Sequence, residues 1–474
     1  MMALLRYGNG QPFHRLDHLQ GYLGTPVPAS TQWQVVNEST GLFQPVYDEL
    51  LRQAAQSPLL HNDDTYLRIL ELMGKRRAAS LARGELDDPE RTGLFTTGVV
   101  AKTGDGRTIV LFFSGRKHAG ENLADLLRQR AAQLPPPILM SDALDRNRPK
   151  GHAVVEGNCL CHGRRNFVDQ ITNFPEECRF LIEELRKVFK VDDRCAAEKL
   201  SPEERLRVHQ AESGPVMAGI KAKAHELLDQ KQVEPNSDMG KALNYLINHW
   251  EALTLFLRIA GAPLHNNDCE QILKMAIRHR NNSLFYKTHR GAEVGDLFMT
   301  LIETTVENGE NPFEYLTALQ RHSKEVAERP SDWLPWTFRA TLARLDGTTP
   351  DGQDPVPSAP PPTSPQEVAP SAPDASPTAP VPGAQPPLPT GGVATVAPGV
   401  NLTASARPEC APSASPLREH RKPAGTPLAP GGPPSCPPPT QVEDWEAALG
   451  CLAQPRAPAQ TRRRKTSPPR CGDP

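Results

Sequence analysis

Thirty-two of the 50 prolines in this 474-residue chain fall in its last 125 residues. Proline fixes φ and lacks a backbone N–H, so it interrupts helices and central strands. From Pro350 onward there is one aromatic residue, Trp445, and no Phe or Tyr. Such a segment cannot bury enough apolar surface to offset the entropy of ordering it. Residues 346–474 are therefore expected to be disordered, with polyproline and coil conformations dominating. The exception is Val442 to Leu452, where Trp445, Ala448, Leu449 and Leu452 recur at helical spacing. Arg462-Arg-Arg-Lys465 reads as a solvated charge run.

Other classes are excluded as directly. The longest uncharged apolar runs are about six residues, as in Thr108–Phe113, far short of the ~20 a membrane span needs. The N-terminus has no long apolar stretch of the secretory type. Nine cysteines, four of them in the tail (Cys410, Cys436, Cys451, Cys471), predict reduced thiols in the cytosol. A net charge of −2 excludes a strongly basic chain but leaves room for local patches.

Three regions precede the tail. Residues 1–55 read as a short, partly helical remnant in which Pro45 opens a helix with Val46, Tyr47, Leu50 and Leu51 on its apolar face. Residues 58–145 change period. A strand-like segment surrounds Asn62-Asp63-Asp64-Thr65. Thr96–Ala101 and Thr108–Ser114 read as strands joined by the tight turn Thr103-Gly-Asp-Gly106. An amphipathic helix spans about His118 to Gln133, with Leu123, Leu126 and Leu127 at its core positions, and a strand follows at Ile138–Met140. This order belongs to mixed α/β domains. Residues 159–325 are helical. Leu243, Leu246, Ile247, Trp250, Leu253 and Leu257 form one long stripe. A second helix starts at Asn266 or Asn267, both good N-cap types, with Cys269, Ile272, Leu273 and Ala276 inward. A third spans about Asp296 to Val306, and a fourth opens at Asn311-Pro312.

Three acids sit in contexts that hold a side chain rigidly. Asp63 lies in the first strand, Asp142 just after another, and Glu270 in the first turn of a packed helix. Converging carboxylates suit Mg²⁺ or Mn²⁺, which take oxygen ligands. Two such ions can activate a water and stabilise the leaving oxygen of a phosphodiester. Acids near turns also serve as caps or solvated groups, and Asp64 competes with Asp63 as Asp145 does with Asp142. From Gln271 to Ala292 there are Lys274, Arg278, Arg280, Lys287 and Arg290, two histidines, interleaved Phe285 and Tyr286, and no acid. Such a segment either attracts phosphate or forms a solvated basic face. Cys159-x-Cys161-His162 packs three potential zinc ligands without a second pair, a weak zinc pattern.

The motifs themselves are familiar as an ordered set. Leu59-Leu-His-Asn-Asp-Asp-Thr65, Ser141-Asp142, Cys159-Leu-Cys-His-Gly-Arg-Arg-Asn-Phe167 and Pro263-Leu-His-Asn-Asn-Asp-Cys-Glu270 come first. Arg280-Asn-Asn-Ser-Leu-Phe285, Arg290-Gly-Ala-Glu293, Leu301-Ile-Glu-Thr304 and Asn308-Gly-Glu-Asn-Pro312 follow. Over residues 1–325 this closely resembles the bacterial insertion-sequence 66 family of transposases. The resemblance implies a DDE transposase: an α/β, ribonuclease H-like mixed sheet with a large helical insertion, here about 168–260, inside a catalytic core of 56–325 that ends at 326–345. It implies Asp63, Asp142 and Glu270 as the catalytic, metal-binding triad for two ions. Arg164 and Arg165 join the basic residues above as candidate DNA contacts.

The implied activity is hydrolysis of the phosphodiester at element ends, then attack of the freed 3′-hydroxyl on target DNA. The implied setting is a homo-oligomer on DNA at the nucleoid in the cytoplasm, away from membranes. Family members usually carry a helical segment, a helix-turn-helix and a Cys/His zinc segment before this core, and residues 1–150, which hold no cysteine, are expected to contain none of these. The usual Ala-Glu-Arg around the helical acid is Cys269-Glu270-Gln271 here. Two rival readings share the residues: a catalytically silent DNA-binding relic, and a ribonuclease H-like nuclease that cuts without joining.

Overall fold

The computed structural model describes residues 1–86 and 88–347. The expected disordered tail and its Val442–Leu452 helix lie outside the described residues.

One five-stranded sheet has the order β3-β2-β1-β4-β5. β1 (Leu59–Tyr66), β2 (Phe95–Lys102) and β3 (Thr108–Gly115) form an antiparallel meander. β4 (Ile138–Ser141) adds to the other side of β1, parallel to it, and β5 (Val155–Asn158) adds in parallel to β4. The expected tight turn closes the β2–β3 hairpin. The Thr103 N–H donates to the Arg107 carbonyl at 2.9 Å, and Gly106 takes the φ of +81° that favours glycine.

Helices α1 (Phe13–Tyr22) and α2 (Ala29–Ala54) precede the sheet. α3 (Gly74–Ala82) joins β1 to β2, and α4 (Ala119–Leu127) joins β3 to β4. Between β5 and α11 (Asn267–Ser283) run α5 (Leu160–Val168), α6 (Pro175–Ala197), α7 (Pro202–Val208), α8 (Gly214–Asp229), α9 (Asp238–Asn248) and α10 (Trp250–Leu253). α12 (His289–Glu307), α13 (Pro312–Arg321), α14 (Ser323–Glu328) and α15 (Phe338–Leu345) follow.

Two apolar cores result. The first joins Val99, Val110 and Phe112 of the sheet to Val46 and Leu50 of α2, Ile272 and Leu273 of α11, and Leu297 and Leu301 of α12. The second fills the inserted helices with Leu181, Leu185, Ile220, Leu227, Leu243 and Leu246, and Ile138 and Val155 of the sheet lean on it. Each fully buried Leu or Ile contributes about 1.5–3 kcal/mol, so the helical segment has a core of its own. Leu160 and Phe167 already belong to that core.

Three local expectations are corrected. Helix α2 is 26 residues long and runs through Pro45 rather than starting there. The carbonyl that Pro45 cannot satisfy belongs to exposed Gly41, and buried Phe43, Val46 and Leu50 hold both halves together. The long stripe of 243–257 is broken at His249 and Thr254 into α9, α10 and a 3₁₀ turn, and the Thr254 hydroxyl donates to the Trp250 carbonyl at 2.7 Å. Helix α4 ends at Leu127. Just beyond it the Arg130 guanidinium donates to the carbonyls of Ala55 (2.8 Å) and Ser57 (2.9 Å), turning the chain aside.

The edge of the sheet is covered by α12, which runs antiparallel to β3. The Asp296 carboxylate accepts from the Ser114 N–H at 2.6 Å, and the Thr300 and Thr304 hydroxyls accept from the Phe112 and Val110 N–H groups, both at 3.1 Å. The Asn308 side chain accepts from the Thr108 N–H at 3.4 Å and donates to its carbonyl at 2.7 Å. A step of four along the helix thus meets a step of two along the strand. An open edge would template pairing with another chain, and this ladder occupies it. The Thr304 hydroxyl also donates to the Val110 carbonyl at 3.1 Å. Thr304→Val, which keeps the shape and removes both bonds, should cost about 1–3 kcal/mol in urea unfolding. Thr317→Val, whose hydroxyl donates only to Phe313 of its own helix, should stay within about 0.5 kcal/mol of the parent.

Candidate active site

Strand alternation separates the two neighbouring aspartates. Asn62 and Asp64 face α4 and the loop after β4. Asp64 is almost fully buried, 2.8 Å from His118 Nδ1 and 3.4 Å from the Arg146 guanidinium. Asp63 is on the opposite face with His61, toward α11. Its Oδ1 accepts from the Asp64 N–H at 2.7 Å.

Asp142 arrives by strand pairing. β1 and β4 are parallel with His61 opposite Met140, so two further residues on each strand bring Asp63 and Asp142 level. Asp142 Oδ1 accepts from the Asn147 amide and from the Leu144 N–H. Asn147 is itself fixed, since its carbonyl accepts from Asn62 Nδ2 at 2.8 Å. Gly120 at the start of α4 lets that loop come close: a Cβ there would stand 2.2 Å from the Arg148 carbonyl oxygen. Asp145 is 97% exposed and pairs with Arg148 at 3.5 Å.

Glu270 is carried by the first turn of α11. The helix lies close on the sheet because Gly98, opposite Asp63 on β2, has no side chain; a Cβ would stand 3.0 Å from Leu273 and 3.5 Å from Cys269 Sγ. Asn266, expected as a cap, makes no side-chain capping bond. Its amide reaches across instead: Nδ2 donates to the Asn62 carbonyl at 3.0 Å and Oδ1 lies 3.1 Å from His61 Nδ1. Cys159 caps α5 at the end of β5, its N–H bonded to the Ser141 carbonyl at 2.9 Å. His162, one turn on, stands 3.8 Å from Glu270 Oε1.

The electrostatics follow from this crowding. Burial and then the Asp142 charge raise the Asp63 carboxyl to about 7. Burial raises Asp142 and Glu270 as well, and His162 opposes the shift in all three acids. The His162 imidazole is raised to about 9, first by the Cys159 sulfur and against burial. Cys159 is held well below the usual thiol range: burial alone would raise it, but Cys161 and His162 outweigh that.

The basic residues divide. Lys274, Arg278 and Lys287 are exposed. Arg280 points inward, donating to Thr65 Oγ1 (2.8 Å) and the Tyr66 carbonyl (2.6 Å) while stacking on the Tyr66 ring. Arg290 binds Asn37 (3.0 Å) and Thr40 (2.8 Å) on α2. Arg164 and Arg165 are half-buried on α5, with Arg165 near enough to Glu270 to lower its carboxyl. Of the two aromatics, Phe285 is exposed and Tyr286 is core, stacked on His279. Sequence reasoning gave His162 no place at the acids; its signal was a Cys-x-x-His step opening a helix directly after a strand.

The sheet and the helix that crosses it are those of a mixed α/β protein. Residues 1–294 match the family described as Transposase IS66 family, and the chain belongs to it. It is similar to the uncharacterized protein y4jD of Sinorhizobium fredii, with 27% identity over 307 residues, 63% of this chain and 57% of that protein. It is also similar to the uncharacterized protein y4hP of the same organism, with 24% identity over 362 residues, 71% of this chain and 61% of that protein. The chain therefore spans about 57–61% of the length of these relatives. No described helix is long and apolar enough to cross a membrane.

A carboxyl raised from 3.8 to about 7 takes up a proton on folding. The stability this contributes is complete below about pH 4 and is lost as pH rises toward 7. Asp63→Asn keeps the acceptor for the Asp64 N–H and removes the titration. In metal-free protein it should be more stable to unfolding than the parent, by roughly 1–3 kcal/mol at pH 8 and by little at pH 4. Equal melting of the two proteins at pH 8 would remove the basis for a strained acid pair.

Proposed function

We propose that this chain is a DNA transposase of an insertion sequence, cutting phosphodiester bonds at element ends and joining the freed 3′-hydroxyl to target DNA. The observation that carries the reading is the meeting of Asp63, Asp142 and the Glu270 helix from three separate elements, within a family of transposases. The strand order β3-β2-β1-β4-β5, antiparallel then parallel, supports a ribonuclease H-like core.

The acids suit divalent cations. Carboxylates are the hard oxygen donors that Mg²⁺ and Mn²⁺ take, and buried, mutually repelling acids are relieved by a cation. Asp63, Asp142 and Glu270 would hold the metal, which supplies Lewis-acid stabilisation and an activated water. The protein's own part is positioning. Asp63 Oδ1 and Asp142 Oδ1 are each occupied by internal donors, which fixes both carboxylates and leaves Oδ2 for a ligand. Glu270 rides on a helix whose approach is set by Gly98 and Asn266. No Ser or Tyr nucleophile is called for, because water and then a DNA hydroxyl attack the phosphorus.

Purified protein should nick oligonucleotides bearing its own element ends only with Mg²⁺ or Mn²⁺. Asp63→Asn, Asp142→Asn and Glu270→Gln should each leave under about 1% of the rate. An Asp142→Asn protein that cuts like the parent would refute the assignment, and cutting without joined products would favour the nuclease reading.

The exposed cations Lys274, Arg278 and Lys287 follow Glu270 along the chain and would contact DNA phosphate. Replacing all three by Gln should lower the slope of log affinity against log salt by about 0.9 per lost contact on duplex DNA. An unchanged slope would return them to a solvated face. Arg280 belongs outside this set, since its loss would disturb β1.

A further inference from the structure

Glu270 has a second set of neighbours. Cys159 Sγ, a ring nitrogen of His162 and a Glu270 carboxylate oxygen all lie within 4.8 Å of one another. Cys159 and His162 occupy the N-cap and third position of α5, one helical turn that turns both toward α11. In a tetrahedral zinc site, bonds of about 2.0–2.3 Å put ligand atoms roughly 3.3–3.8 Å apart. The His162 Nε2–Glu270 Oε1 pair already stands at 3.8 Å, so modest side-chain rotation completes the set. The sulfur is held in place from two elements: the Cys159 N–H is bonded to Ser141, and the Asn266 N–H is directed at Sγ at 3.3 Å.

We propose that Cys159, His162 and Glu270 form a binding site for a soft divalent cation of the zinc class. Thiolate and imidazole favour zinc and are poor ligands for Mg²⁺. The ligand set is therefore chemically distinct from the Asp63–Asp142 pair, although it shares Glu270 with the triad. Three protein ligands with an open fourth position belong to exchangeable rather than purely structural zinc. On binding, S–metal and N–metal bonds form at Cys159 and His162, and the one proton that this pair carries passes to the buffer. A cation seated there engages Glu270 and withdraws it from the acid pair, so zinc opposes Mg²⁺-dependent cutting. That consequence rests on the proposed transposase reading, whereas zinc binding itself does not.

The test is a Co²⁺ titration of the metal-free full chain, with Cys410, Cys436, Cys451 and Cys471 changed to Ser in every sample to silence the tail. The expected result is a near-ultraviolet thiolate-to-cobalt band with tetrahedral visible bands, bleached by Zn²⁺. Cys159→Ser should abolish the thiolate band, while Cys161→Ser should keep it. His162→Gln and Glu270→Gln should each weaken Zn²⁺ binding by about 100-fold or more. A folded parent without the band, or a band undiminished in Cys159→Ser, overturns the proposal. If Cys159→Ser does not fold, ¹¹³Cd resonance on the parent reads the ligands directly: a sulfur-shifted signal supports the site and an all-oxygen signal refutes it. Zinc binding by a protein that cuts DNA with no metal would leave the site standing and count against the transposase reading alone.

Discussion

Asn266 is fully buried, and its side-chain amide and backbone N–H are turned toward other elements. Its Nδ2 holds the Asn62 carbonyl beside Asp63, its Oδ1 meets His61, and its N–H meets Cys159 Sγ. One residue thus ties β1, the start of α5 and the start of α11, which are the elements carrying Asp63, His162 and Glu270. Burial lowers the His61 imidazole to about 4, so the ring is neutral and its Nδ1–H can donate to Asn266 Oδ1. A buried bond of this kind contributes about 0.5–1.5 kcal/mol, but an orphaned partner costs about 1–3. The junction is therefore cooperative: loosening one bond exposes the others.

Around that junction, close approach substitutes for side-chain bulk. Gly98 admits α11 to the sheet and Gly120 admits the Asp142 loop to α4. Asn62 and Asn147 then convert backbone proximity into side-chain orientation at Asp142. Burial and the neighbouring Asp142 charge act on Asp63 before any cation is supplied. Burial raises all three carboxyls, a pattern common where a site is built for a ligand rather than for stability.

Much of this was legible in the sequence. The β2–β3 hairpin, the inward stripe of α11 and the Asn311 cap of α13 each follow from local periodicity and turn chemistry. What was not legible depended on partners distant in the chain. β5, four residues long, exists because Ile138–Ser141 offers it a parallel neighbour. Pro45 reads as a helix start, and only tertiary packing carries α2 across it. Asn266 reads as a cap because nothing local reveals that Asn62 lies against it. Arg280 and Arg290 sit within a basic run, yet their guanidiniums are bound by Tyr66 and by Asn37 and Thr40. Which of Asp63 and Asp64 lies on the α11 face of β1 is likewise hidden from local sequence.

The ladder from α12 to β3 has a further property. Four helical residues rise about 6.0 Å, while two strand residues advance about 6.6 Å. The two rows therefore drift apart by roughly half an ångström at each rung. The N–H bonds run from 2.6 Å at Ser114, to a carboxylate, through 3.1 Å at Phe112 and Val110, to hydroxyls, to 3.4 Å at Thr108, to an amide. The helix and strand act as a vernier: they coincide over a limited span, at one setting only. Sliding β3 by a single residue would turn every rung's N–H away from the helix at once. α12 thereby gauges the register of the outermost strand, and through the meander the position of Gly98 opposite Asp63.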